Sequence, residues 1–188
     1  VRDVKSLILT PEKTLFESPH LDLLLVPGGY GQEALMEDET VLSFIREQAV
    51  HAKYVFSVCT GALICGAAGL LQGVRATTHW SAFHLLKYFG AIPVDERVVI
   101  DGKIMSAAGV TAGFDGALHV AALLRGERVA QEIQLQIQYA PEPPFHSGTP
   151  AIASAEILDA ARATNRAITE ARLTTAKRIA ANLRVCLP

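Results

Sequence analysis

Cysteine is scarce in this sequence, with three residues (Cys59, Cys65 and Cys186) in 188. An odd number with no C-x-x-C spacing excludes a disulfide framework and a cysteine-rich zinc site. The histidines, His20, His51, His79, His84, His119 and His146, show no ligand grouping either. Charged residues make up only 19% of the chain and the net charge is −2. No basic field is available to hold a phosphate backbone, which argues against nucleic acid as a general partner. Long apolar runs are also missing. Leu23–Val26 and Ala62–Leu71 fall well short of the roughly 20 residues a membrane-spanning helix needs. The opening Val-Arg-Asp-Val-Lys-Ser has neither the apolar centre nor the cleavage signal of a secretory leader. Free thiols in a reducing, cytoplasmic setting are the expectation.

What is present is a core. Half of the residues are apolar, ample for one domain of this length, and no repeat or linker divides residues 1–188. Strand and helix patterns alternate, which predicts an α/β fold with a mostly parallel, doubly covered sheet. Leu21–Val26 reads as a buried strand stopped by Pro27-Gly28-Gly29-Tyr30-Gly31. From Asp38 the apolar spacing of Val41, Leu42, Ile45 and Ala49 is helical. Tyr54–Val58 is a second buried strand, followed by a helix through Leu71. Arg75–His79 is read as a third strand and Trp80–Phe89 as another helix. Arg97–Ile100 and Ile104–Ser106 flank Asp101-Gly102-Lys103, a hairpin signal. Helices are expected over Phe114–Leu124 and Arg128–Tyr139. Prolines break the segment near 141–150. A C-terminal helical extension over 153–184 follows, weakly amphipathic and basic, and reads as a solvated face or a surface for a partner subunit.

The chemistry points to Val58-Cys59-Thr60-Gly61-Ala62. A strand that passes straight into a helix leaves its junction residue in a tight turn, projecting beyond the carboxyl edge of the sheet, where open α/β folds bind ligands. The helix N-terminus at that point favours thiolate over thiol. This is the setting of an activated nucleophile. The competing reading is a small buried cysteine at a strand end. Cys65 lies inside the helix and is expected to be inert core, and Cys186 a tail thiol. His79 closes a neighbouring strand and is either a base or hydrogen-bond partner for the thiol or locally bonded. Gly28 and Gly29 end another strand, where backbone amides approach a reacting group closely. The Gly109–Gly113 loop either lines the same pocket or simply connects strand to helix.

Pro27-Gly-Gly, Ser57-Val-Cys-Thr-Gly, Ala67-Ala-Gly-Leu-Leu-Gln-Gly, Arg75-Ala-Thr-Thr-His-Trp and Gly109-Val-Thr-Ala-Gly-Phe-Asp together resemble the ThiJ/PfpI superfamily. Tyr139-Ala-Pro-Glu-Pro-Pro-Phe and Gly90-Ala-Ile-Pro resemble its isocyanide hydratase branch. The resemblance covers nearly the whole chain. It implies a flavodoxin-like sandwich, a homodimer, no cofactor or metal, and no nucleic-acid or membrane partner. It also implies that Cys59 attacks the terminal carbon of a small isocyanide, forming a covalent thioimidate that water releases as a formamide. Thr60 matches the residue beside the family's nucleophile, and Val110 an aliphatic position near it. The amides near Gly29 and Thr60 would position the reacting groups, while Tyr30, Trp80 and Phe114 would shape the pocket. The family's first strand and helix, with an acidic residue that contacts the cysteine, precede anything matched here, so a natural N-terminal segment is expected ahead of Val1. Two other readings follow from the same likeness. One is a ligand- or redox-sensing domain related to AraC-type regulators, although too few residues follow the proline-rich loop for paired helix-turn-helix units. The other is a glyoxalase-like stress protein with an oxidisable Cys59.

Overall fold

The computed structural model describes residues 7–185. Its centre is a four-stranded sheet in the order β1-β2-β6-β5. β1 (Leu23–Val26), β2 (Tyr54–Val58) and β6 (Ile104–Ala107) are parallel, and β5 (Val98–Asp101) is antiparallel to β6 across the Asp101–Lys103 turn. A smaller parallel pair joins β3 (Arg75–Ala76) to β4 (Ile92–Pro93). This mostly parallel sheet with helices on both faces is the expected fold class.

Alternation along the strands divides the interior in two. Leu24, Val26, Val55 and Ile104 point to one face and pack beneath α2 (Glu39–His51), α3 (Gly61–Ala67), the 3-10 segment Trp80–Phe89 and α6 (Ala155–Asn182). Phe56, Met105 and Ala107 point to the other, with Ala112 and Val120 of α4 (Ala112–Arg125) against them. Every residue of α3 is buried, so this helix is interior on all sides, consistent with its small and apolar composition. On the opposite face, α4 lies close to β2. A Cβ on Gly116 would stand 2.4 Å from the Phe56 ring, and one on Gly113 would stand 3.1 Å from Val58.

Helix boundaries follow local chemistry. α2 starts where the Asp38 carboxylate accepts from the amides of Thr40 (2.9 Å) and Val41 (3.3 Å), satisfying two donors that a helix start leaves free. Gln48 within it is buried and bonds Pro19 and the Leu21 amide, fixing the entry to β1. α3 ends at Ala67 rather than Leu71. Gly69 takes φ +84° there, its amide donating to Gly66 and the Leu70 amide to Cys65, a left-handed helix stop that the Ala-Ala-Gly spacing allows.

The sequence also predicts a strand over Arg75–His79, but only its first two residues pair. Beyond them, the Thr77 amide donates to the Ser106 hydroxyl at 2.9 Å and the Thr78 hydroxyl to the Cys59 carbonyl at 2.7 Å. Side chains replace the ladder, and the strand ends. The Trp80–Phe89 helix is 3-10, closed by Gly90 at φ +71°. α5 (Glu127–Gln136) stops short of Tyr139, and Gln138 takes φ +51°. A short helix not anticipated from the sequence, α1 (Gln32–Leu35), follows the Gly28–Gly31 turn. Residues 137–154 hold neither helix nor strand, in keeping with their prolines, and no helix of the described residues is long and apolar enough to cross a membrane. Removing the α2 cap through Asp38→Ala should cost about 1 kcal/mol, read as an earlier urea midpoint with an unchanged slope.

Candidate active site

Cys59 is the first residue past β2. Its amide donates to the Ala107 carbonyl at 2.8 Å, carrying the β2–β6 ladder one step beyond the strand. Its φ is then +57°, a left-handed conformation that costs a side-chain-bearing residue roughly 1–2 kcal/mol. The turn delivers the chain into α3 with Thr60 alone between. The Cys59 carbonyl is held in turn by the Thr78 hydroxyl. The side chain is partly exposed, whereas Thr60 beneath it is buried.

Glycines on both sides make this turn possible. A Cβ on Gly61 would fall 2.1 Å from the Val26 carbonyl oxygen, and one on Gly28 would fall 2.6 Å from the Thr60 nitrogen. The end of β1 and the start of α3 therefore pass in backbone contact. The Gly29 amide completes the join by donating to the Thr60 hydroxyl at 3.2 Å. Gly28, Gly29, Cys59 and Thr60 thus form one unit, as the sequence suggested.

The remaining predicted residues are arranged less uniformly. His79 bonds locally: its Nδ1 lies 2.8 Å from the Ser81 hydroxyl and caps the 3-10 segment through the Ser81 amide. Partial burial and the positive charge of Arg172 hold its imidazole below the ordinary range. Trp80 borders a cavity of about 460 Å³ between the 3-10 segment and α6, together with Ser81, His84, Asn165 and Arg166. Tyr30 and Val110 are exposed on the surface, at 62% and 75%. The Val110 loop is anchored through its neighbours: Asp115 accepts from Tyr139 at 2.8 Å and pairs with Arg97, and Phe114 stacks on Tyr139. The proline-rich block therefore begins with a residue that braces this loop. Cys65 is buried, and burial pushes its thiol up to about 12, so it is inert as expected. Cys186 lies outside the described residues. Among the described residues, no three His, Cys, Asp or Glu side chains gather closely enough to hold a metal ion.

The reading of the C-terminal segment as a solvated face needs correction. Arg172 of α6 is buried, and its Nη2 donates to the Gly29 carbonyl at 2.8 Å. One turn on, the Thr175 hydroxyl meets Glu33 of α1, and Arg178 makes a paired contact with Glu37 at 2.8–2.9 Å. Positions 172, 175 and 178 lie along one helix face, which locks α6 to the Gly29–Glu37 segment. Arg172 and Thr78 are the supporting residues that the site reading missed. The Arg-Ala-Thr-Thr-His-Trp block at least contained Thr78, whereas nothing local distinguishes Arg172 from the other arginines around it.

Two outcomes follow from this geometry. Gly28→Ala should lower stability by about 2 kcal/mol or more by forcing backbone apart. Gly31→Ala, with nothing within 4 Å of its added Cβ, should stay within about 0.5 kcal/mol, both checked by denaturant melts. His79 also predicts a pH effect. Its folded-state value lies below the ordinary 6.5, so the unfolded chain binds the proton more readily and acidification below about that pH favours unfolding. The thermal midpoint should fall as pH drops from about 7 to about 5, and His79→Gln should flatten that fall.

The sequence profile of the DJ-1/PfpI family matches residues 4–123. Over 154 residues the chain is 55% identical to isonitrile hydratase from Pseudomonas putida, covering 82% of this chain and 68% of that protein. It is 28% identical to the HTH-type transcriptional regulator GbdR of Pseudomonas aeruginosa, across 70% of this chain but only 36% of the regulator. Among solved structures, a ThiJ/PfpI family protein from Pseudomonas syringae matches with a TM-score of 0.90 and 40% identity, over 94% of this chain and 74% of that one. The strained Cys59 junction thus sits in a chain that belongs to the DJ-1/PfpI family.

Proposed function

We propose that this protein is an enzyme that adds water to a small isonitrile, R–N≡C, giving the N-substituted formamide, with Cys59 as nucleophile. The sulfur bonds the terminal carbon and the thiol proton ends on that same carbon, leaving R–N=CH–S–Cys59. Water then adds to the carbon and the carbon–sulfur bond breaks. The sulfur recovers a proton, and R–NH–CHO departs. The sum is one isonitrile plus one water, with no net oxidation or reduction.

The observation that carries the reading is Cys59 itself, a side-chain-bearing residue at φ +57° on a strand–helix junction, in a chain so similar to an isonitrile hydratase. A thiolate is soft and strongly nucleophilic, which suits a carbon that is only weakly electrophilic. Thr60 and the Gly28–Gly29 turn orient the reacting atoms, while Tyr30, Trp80 and Val110 contact the R group. A homodimer working in the cytoplasm belongs to the same proposal. The likeness to GbdR favours a second reading, in which Cys59 senses a ligand or an oxidant and turns nothing over.

Turnover of a simple alkyl isonitrile, followed by product mass, separates the two. The folded protein should yield the formamide, and Cys59→Ala should cut the rate by roughly a thousandfold or more. Absence of formamide from well-folded protein would remove the hydratase reading in favour of sensing.

A further inference from the structure

Arg172 sits in an electrostatically expensive place. It is 5% exposed, and among the described residues no carboxylate lies within ion-pairing distance of it. One of its nitrogens donates to a neutral carbonyl, that of Gly29. Its Nε is buried without a hydrogen-bond partner among the described residues. A guanidinium desolvated for one neutral acceptor is a net cost. The neighbouring buried positions of α6 are occupied by Thr175, Ala176, Ile179 and Ala180, so a charge at 172 is not what packing alone calls for. Burial pulls its pKa below the ordinary range, and the groups whose charge opposes that pull are Cys59, Glu33 and Tyr30. Of these, the Glu33 carboxylate already accepts from Thr175. The cation is therefore within electrostatic reach of the elbow sulfur. It is also joined to the elbow by contacts: Arg172 to the Gly29 carbonyl, and the Gly29 amide to Thr60, the neighbour of Cys59.

We propose that Arg172 is a specificity-determining positioning residue of the Cys59 site: it ties the Gly28–Gly29 turn to α6 and sets a positive field over the sulfur that favours electrophiles carrying a negative charge, such as carboxylate-bearing substrates, over neutral ones of the same size. This deepens the reading of Cys59 as a reactive nucleophile and rests on it.

The test compares alkylation of Cys59 by iodoacetate and by iodoacetamide, followed by intact mass and peptide mapping. In both reactions the sulfur attacks the CH₂ carbon, a carbon–sulfur bond forms and iodide leaves. Because the same thiolate reacts each time, the ratio of the two rates cancels the thiolate fraction and reports the field on the reagent's charge. Arg172→Gln should lower the iodoacetate-to-iodoacetamide ratio by roughly three- to tenfold, the size of one unit charge acting through a partly hydrated protein. Arg172→Lys should keep the ratio within about twofold. In the same variants, the NMR titration midpoint of His79 should rise for glutamine and hold for lysine, since a merely structural arginine would not single out charge. Arg172→Met, neutral and of similar length, replaces the glutamine variant should that one fail to fold. A ratio unchanged in a folded neutral variant would overturn the proposal, as would an equal loss in the lysine and neutral variants. Isonitrile turnover is not the readout, so a failed hydratase reading and a failed Arg172 assignment give different results.

Discussion

The structure depends on one close approach, where the carboxyl end of β1 meets the first turn of α3 with no side chain between them. The Val26 carbonyl lies where a Cβ on Gly61 would have to go, and the Thr60 nitrogen blocks a Cβ on Gly28. With the end of β1 and the start of α3 drawn together, β2 cannot run on in an extended conformation and then start a relaxed helix. It must turn within one residue. Cys59 takes that turn, and the conformational cost of roughly 1–2 kcal/mol is offset by bonds on both of its backbone groups, to Ala107 and from Thr78. Strain at the cysteine is thus a consequence of packing at two glycines, Gly28 and Gly61. Cys59 is fixed by its backbone, and among the described residues no hydrogen bond ties down its sulfur.

Rigidity behind the site comes from both faces of β2. On one side α3 is entirely buried, so it has no solvent-facing surface along which to shift. On the other, Gly113 and Gly116 let α4 settle against Val58 and Phe56. The glycines at these positions act in the same way as those at the elbow, by removing the spacer that a side chain would impose. β2 is clamped between two helices at short range, and the residue just past its end inherits that precision. The loop carrying Val110 is held by a separate device, the Arg97, Asp115 and Tyr139 cluster, which explains why a tyrosine opens the proline-rich segment.

Features set by local chemistry were legible in the sequence. The Cys59 junction, the Gly28–Gly29 turn, the Asp38 helix start and the inert Cys65 each depend on a few adjacent residues whose types carry the signal. The misreadings share a different cause. Arg75–His79 has the β-branched content of a strand, yet Thr77 and Thr78 spend their polar groups on Ser106 and Cys59, partners 29 and 19 positions away. His79 is not among the misreadings: it closes that segment, and of its two readings the local one holds, with its ring turned to Ser81, two residues on. Arg172 is the extreme case. Its meaning lies in a bond to Gly29 across 143 positions, and its helix, read alone, is a modestly amphipathic basic segment whose buried stripe cannot be told from its exposed one.

That docking changes what the C-terminal helix is for. Had α6 been held only by apolar contacts such as Ala176 and Ile179, it would be a cover for the core and indifferent to the chemistry beyond the sheet edge. Instead its polar face meets the Gly29–Glu37 segment at three points, through Arg172, Thr175 and Arg178, and of these Arg172 is the one that is buried and unpaired with a carboxylate among the described residues. A cation at that point acts on its neighbours through its charge. Burial and this cation together disfavour positive charge on His79. His79, its Nδ1 already turned to Ser81 and its imidazole made a weaker base by burial and by Arg172, is poorly suited to take a proton from Cys59. The field of Arg172, carried in from the far end of the chain, bears instead on the charge of whatever approaches this elbow.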